Sequence, residues 1–153
     1  MKTKSLLLVV VALFATSLLS AQNATIIRIT GDKVVDVYDA NGDEITLQNG
    51  MELPEGALIQ VGANTKVFLR TFAGMITTID ANSAVLIEEV AVTPEGKEKT
   101  RLKLQSGDLV ANLDPSKKSV SDYGVRTPKG VAAARGTSFT VNVNGQEASM
   151  SVT

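Results

Sequence analysis

The chain has 153 residues, with 12 Gly and 4 Pro but no Cys, His or Trp, and a formal charge of −1. The missing Cys excludes disulfides, thiolate nucleophiles, zinc–thiolate sites and a Cys-borne lipid anchor, and the missing His excludes a Ser-His-Asp triad. A length of this order fits one domain, and a charge this close to neutral lacks the basic excess of a nucleic-acid binder.

In chain order, Lys2 and Lys4 form a short positive segment before the apolar run Leu6–Leu19, LLLVVVALFATSLL, which is followed by Ser20 and Ala21. This is the layout of a secretory signal peptide, and the run is shorter than the ~20 residues of a permanent membrane span. Cleavage is expected after Ala21, placing residues 22–153 in the periplasm or outside the cell as one domain. Contact with the membrane is expected only through residues 1–21, if they stay attached. The mature chain then carries 13 basic and 16 acidic residues. Its 15 Val, 8 Ile and 13 Thr make over a quarter of it β-branched, which favours strands.

Strand-like runs follow at residues 25–30, 34–38, 44–47, 57–61, 66–71, 75–79, 84–92, 101–105, 108–113, 120–126, 130–134, 138–143 and 147–152. Asn41-Gly42 and Asn144-Gly145 read as type I′ hairpin turns, Pro94-Glu95-Gly96 as a Pro-started turn, and Asp114-Pro115-Ser116 as a strand end. Ala73-Gly74 turns the chain between two runs. Arg101–Gln105 and Phe139–Val143 alternate strictly, so each shows one wet face, whereas Val85-Leu86-Ile87 reads as covered on both faces. The fold class is all-β, many short strands in a roll, solenoid-like stack or sandwich after the N-terminal signal helix.

Apart from the aromatics, four groups are candidates for sites. Asp36, Asp39, Asp43 and Glu44 surround Asn41-Gly42 with the composition of a Ca²⁺ loop, but a hairpin turn with solvated acids explains them as well. Glu88 and Glu89 do not make an acid/base pair, because strand neighbours point to opposite faces. Lys97, Lys99, Arg101 and Lys103 read as a lysine-protected strand edge, and Lys117-Lys118 as an exposed loop. The five mature aromatics, Tyr38, Phe68, Phe72, Tyr123 and Phe139, are few for a carbohydrate platform. No metal, cofactor or catalytic residue is expected.

The fourth group is the segment from Val125 to Val141, VRTPKGVAAARGTSFTV. Pro128 ends a strand at Thr127 by fixing φ. Gly130 and Gly136 permit backbone shapes that other residues resist, and Ala132-Ala133-Ala134 leave room for close approach. Arg126 and Arg135 offer forks of donors, Thr137 can cap a turn, and Phe139, Val141 and Val143 share one strand face. These residues are expected to lock the last loop onto the sheet rather than to hold a ligand.

The Thr127-Pro128 turn followed by Arg135-Gly136-Thr137 and Phe139-x-Val141 resembles the signature of the FecR-domain family. Gly56–Gly62, Asn64–Thr71 with Ala73-Gly74, Asp80–Ile87 and Leu104–Val110 are similar to its earlier units, so the resemblance covers about residues 25–145. It implies an all-β exported domain without enzymatic activity, which in the ferric-citrate-type regulators relays a signal from an outer-membrane transporter to a sigma factor. Here only Met1–Ser5 precede the apolar run, so the anti-sigma role is not carried over and no sigma-factor contact is expected. A further strand or two is expected beyond Thr153, which leaves open a fragment or a short version. The reading is an envelope module for protein interaction or signal sensing. Its alternative is a structural or glycan-associated envelope protein.

Overall fold

The computed structural model describes residues 20–153, and the apolar leader lies outside the described residues. Fourteen strands follow one another: β1 (Ser20–Ala21), β2 (Ala24–Gly31), β3 (Val35–Tyr38), β4 (Glu44–Ile45), β5 (Glu52–Leu53), β6 (Leu58–Val61) and β7 (Thr65–Phe72). Then come β8 (Met75–Ile79), β9 (Ser83–Val92), β10 (Glu98–Leu113), β11 (Ser121–Thr127), β12 (Gly130–Ala134), β13 (Phe139–Asn144) and β14 (Glu147–Val152). A single 3₁₀ turn, Pro115–Lys117, joins β10 to β11, capped by Asp114, whose carboxylate accepts from the Ser116 N–H at 2.8 Å.

The strands form two sheets that share β10. The first runs β4-β3-β6-β9-β10-β11-β12, with β1 also on β9, and the second runs β5-β2-β7-β8-β10-β13-β14. All pairs are antiparallel except β10–β11. Residues 98–106 of β10 belong to the first sheet and 107–113 to the second. Two separate strands were expected here, over 101–105 and 108–113. The chain instead bends without leaving the ladder. Gly107 adopts φ +88°, and a Cβ there would lie 2.2 Å from Ser83 Oγ. That hydroxyl accepts from the Asp108 N–H at 2.9 Å and so ties the bend to β9.

Between the sheets lies one apolar core. Ile26, Leu69, Met75 and Ile79 from the second sheet, and Ile59, Ile87, Leu102 and Leu104 from the first, are fully buried. Burying one such side chain stabilises the fold by ~1.5–3 kcal/mol. Two hydroxyl pairs cross the core: Thr100 donates to Thr71 at 2.9 Å, and Tyr123 OH bonds Thr77 Oγ1. Each supplies the partner that a buried hydroxyl requires.

Several expectations need correction. Val85-Leu86-Ile87 is not covered on both faces: Val85 and Ile87 point into the core, while Leu86 is half-buried on the outer face. β10 is no edge. It lies between β9 and β11, so Lys99, Arg101 and Lys103 line the outer face of an interior strand. At Asn41-Gly42 and Asn144-Gly145 only the glycines have positive φ, +87° and +61°, so neither turn is type I′. In the first, Asp39 organises the loop by accepting from the Asn41 and Asp43 N–H groups at 2.8 and 3.0 Å. In the second, the central residues are Gly145 and Gln146, because Asn144 is opposite Glu147. Sequence periodicity also passed over β1 and β5, two residues each and too short to carry a pattern.

Candidate functional site

The expected site residues fall on the last two hairpins. β11 ends at Thr127, as Pro128 dictates. Thr127 Oγ1 accepts from the Lys129 N–H and donates to the Gly130 carbonyl, both at 3.2 Å, closing the turn. Pro128 is exposed. Gly136 has φ +61°, and a Cβ there would lie 3.0 Å from Lys118 Cβ and 3.2 Å from Pro115 Cα. The glycine lets the crossing from β12 to β13 pass tightly beside the 3₁₀ turn. Thr137 is exposed and donates to the Arg135 carbonyl at 3.2 Å. Phe139 is fully buried and meets Tyr123 edge to face, centroids 5.8 Å apart at 77°. Burial pushes the Tyr123 phenol well above its usual range, against the smaller pull of the Thr77 hydrogen bond.

Arg126 and Arg135 do not act together. Arg126 forks onto Glu88 of β9, its Nε 3.0 and 3.2 Å from the two carboxylate oxygens, and so spans β10 on the outer face. Arg135 is exposed and has no carboxylate within 4.0 Å among the described residues. The Arg126 partner was not foreseen, because β9 carries a bulge. Arg101 pairs with Glu89 and Leu102 with Ile87, which leaves Glu88 extra. A bulge upsets strict alternation. Both Glu88 and Glu89 therefore reach outer-face cations, Glu89 meeting Lys99 at 2.8 Å. The ground for separating them, opposite faces, does not hold here.

Two more cations are paired in the same way, whereas Lys103 on the outer face has no carboxylate within 4.0 Å among the described residues. Arg101 binds the Asp122 carboxylate at 2.7 Å and its carbonyl at 2.8 Å, and Lys117 binds Glu98 at 3.2 Å. Lys117 is thus half-buried rather than a free loop lysine. The expected lysine-protected edge is instead an interior strand whose Lys99 and Arg101 are held in charge pairs. At half-exposed sites such pairs contribute only ~0–1 kcal/mol each.

Sequence reasoning also missed a groove between the two hairpins. It has a volume of ≈ 190 Å³ and is lined by Lys129, Gly130 and Ala132 on one side and by Val141, Ala148 and Met150 on the other. The run of small residues at 130–134 was its one signal in the sequence: no large side chain is present there to close it. A second, polar cleft of ≈ 420 Å³ lies at the β10 bend, where Asn142 donates to Asp108 at 2.5 Å. Of the acids in this loop, Asp39 faces its own backbone: the Asp43 and Asn41 amides hold its carboxyl below the usual carboxylate range. Among the described residues, no three of His, Cys, Asp or Glu converge as metal ligands. Among the described residues, these last hairpins present a groove with apolar lining beside two strands, β12 and β14, that each pair on one side only.

Residues 57–153 match the family model described as FecR protein. The match leaves out β1 to β5 and takes in the whole shared strand β10, the signature hairpins and both grooves. No curated protein and no solved structure matches the chain.

Proposed function

The chain belongs to the FecR protein family, and from that membership we propose that it is an exported, non-catalytic module of the cell envelope that senses or relays a signal by binding another protein. The observation that carries this reading is the family match over 57–153, in a family of non-enzymatic signalling proteins. The leader, Lys2 to Ala21, supports export to the periplasm or beyond. Cutting after Ala21 removes β1 and leaves Gln22, whose backbone nitrogen donates to the Val90 carbonyl at 2.8 Å. The rest of the sheet does not depend on the two residues lost.

The signature residues serve the fold in this reading. Arg126 and Phe139 meet residues of other strands, Thr127 and Thr137 bond within their own turns, Gly136 passes beside the 3₁₀ turn, and Pro128 sets its turn. Of the two arginines, Arg135 has no carboxylate within 4.0 Å among the described residues. Crosslinking the tagged protein in living cells, followed by mass spectrometry, tests the function. Recovery of one envelope transporter or membrane regulator supports it. Recovery of wall material only would replace it with a scaffold role. The same capture with Arg126→Ala and Arg135→Ala together separates fold from contact. An unchanged partner yield is expected. A lost partner at an unchanged melting temperature would make the arginines contact residues.

A further inference from the structure

Glycine follows asparagine at three places in the chain: Asn41-Gly42, Asn49-Gly50 and Asn144-Gly145. This dipeptide carries a chemistry of its own. The glycine nitrogen can close a succinimide ring onto the asparagine side-chain carbonyl carbon, and with no Cβ beside it nothing hinders the approach. By sequence the three pairs stand equal.

Exposure and backbone shape do not separate them. All three asparagines are exposed. The glycines have φ +87°, +76° and +61°, and a Cβ on any of them would meet nothing within 4 Å. Hydrogen bonding does separate them. The Gly42 N–H donates to the Asp39 carbonyl at 3.0 Å, and the Gly50 N–H to the Ile26 carbonyl at 3.1 Å. The second of these turns is tied to β2 twice, since the Ile26 N–H donates to the Met51 carbonyl at 3.0 Å. The Gly145 N–H has no acceptor among the described residues. It belongs to the first central residue of the β13–β14 hairpin, with Asn144 opposite Glu147.

The attacking nitrogen must first give up its proton. A bonded N–H does so only after its bond opens, and one hydrogen bond is worth a factor of ~3–10 in that opening. At Asn41 charge adds a second obstacle. The Asp39 carboxylate accepts from the Asn41 and Asp43 N–H groups at 2.8 and 3.0 Å. A negative charge thus stands in the loop whose nitrogen has to become an anion. Asp108 lines the cleft beside Gly145, but its carboxylate bonds Asn142 at 2.5 Å and no amide of the turn.

We propose that Asn144 is a site of spontaneous modification, the place where the folded chain most readily converts asparagine to aspartate or isoaspartate. A hydroxide ion takes the proton from the Gly145 nitrogen. That nitrogen bonds to Asn144 Cγ, the Cγ–Nδ2 bond breaks, and ammonia leaves with a proton from water, which restores the hydroxide. Water then opens the succinimide at either carbonyl. The net reaction consumes one water, releases one ammonia and needs no enzyme or partner. Asn144 lines the polar cleft together with Asn82, Asp108 and Asn142. The cleft therefore gains a second carboxylate, and aged molecules differ from new ones there. This does not rest on the function proposed above.

The experiment incubates the native protein, and the same chain unfolded in guanidinium chloride, at one mildly alkaline pH. Digestion and mass spectrometry give the conversion rate at each of the three asparagines. The quantity compared is the unfolded rate divided by the native rate, position by position. Unfolding removes every hydrogen bond, so this ratio measures how far the fold protects each pair. It is expected to be smaller at position 144 than at 41 and 49 by at least ~3-fold, the lower worth of one hydrogen bond. A smaller gap, equal ratios, or the largest ratio at 144 would overturn the proposal. Asn144→Gln gives a second readout, because the longer side chain closes its ring slowly and the exposed position tolerates it. Isoelectric focusing of the aged native protein is expected to show an added acidic band that this variant lacks. An acidic band of equal strength in the variant would place the conversion elsewhere.

Discussion

The two sheets end differently at their two margins. At one, the last strands are β4 and β5, two residues each, with Asp39, Asp43, Glu44, Glu52 and Glu55 around them. At the other, β12 and β14 run five and six residues, and their exposed positions hold Val131, Ala133, Met150 and Val152. Short, charged strands blunt an edge, and long apolar ones invite pairing. Among the described residues, one margin is thus blunted and the other, at β12 and β14, is unpaired. The open margin lies within the part that matches the FecR family, and β4 and β5 lie outside it.

The comparison breaks most visibly if the open margin is undermined from beneath. Phe139 is buried under it, so Phe139→Ala is expected to cost ~3–5 kcal/mol, as large-to-small core changes do. Ile45→Ala, at the half-buried closed margin, is expected to cost less than half as much. Urea midpoints of the two variants would decide, and equal shifts would erase the asymmetry. Tyr123→Phe leaves the Thr77 hydroxyl buried without its partner, an expected ~1–3 kcal/mol.

The same phenol sharpens the contrast by pH. Its folded pKa is raised, so the unfolded chain loses the proton first. The stabilisation is full below the free phenol value of ~10 and fades as pH rises above it. Native protein should lose stability in that range, and Tyr123→Phe should lose less of it. Alkaline melting curves of both would show the difference or its absence.

Turn glycines give a finer test. Gly136→Ala meets both a left-handed φ and the 3₁₀ turn, and is expected to cost ~1–3 kcal/mol. Gly42→Ala at the closed margin meets the φ alone, with nothing within 4 Å, and should cost ~1 kcal/mol. Equal melting temperatures would mean that the packing beside Gly136 adds nothing. The smallest effect lies at Asp39. Its folded pKa is lowered, so its contribution is full above the free aspartate value of ~3.9 and disappears as pH falls through the folded one. The protection of the Asn41 and Asp43 amides, taken as their exchange rate relative to an unstructured amide at the same pH, should therefore fall in acid, while that of Gly145 holds.

Most strands were legible as short apolar or alternating runs between turn residues: β8, β12 and β14 begin and end where such runs do. The misreadings share one cause. Glu88 sits in a bulge, and a bulge breaks the period from which faces are counted. Gly107 was read as a break between strands, yet it bends one strand into two sheets, since the contact that demands glycine is with Ser83, 24 positions away. Lys99 and Arg101 read as an edge because alternation records a wet face without recording which strands lie alongside.

The signature itself was legible as turn chemistry. Thr127 and Pro128 act within a few residues of themselves, so local rules suffice for them, whereas Gly136 also answers to Pro115 and Lys118 in the distant 3₁₀ turn. The partners that give the rest their meaning, Glu88 for Arg126 and Tyr123 for Phe139, come from other strands. By itself the sequence determined the all-β class, nearly every strand and the likeness to a family, because period and turn residues are local quantities. Only the tertiary structure decided which strands are interior, which charges are neutralised and which margin stays open, because those depend on contacts between residues far apart in the chain.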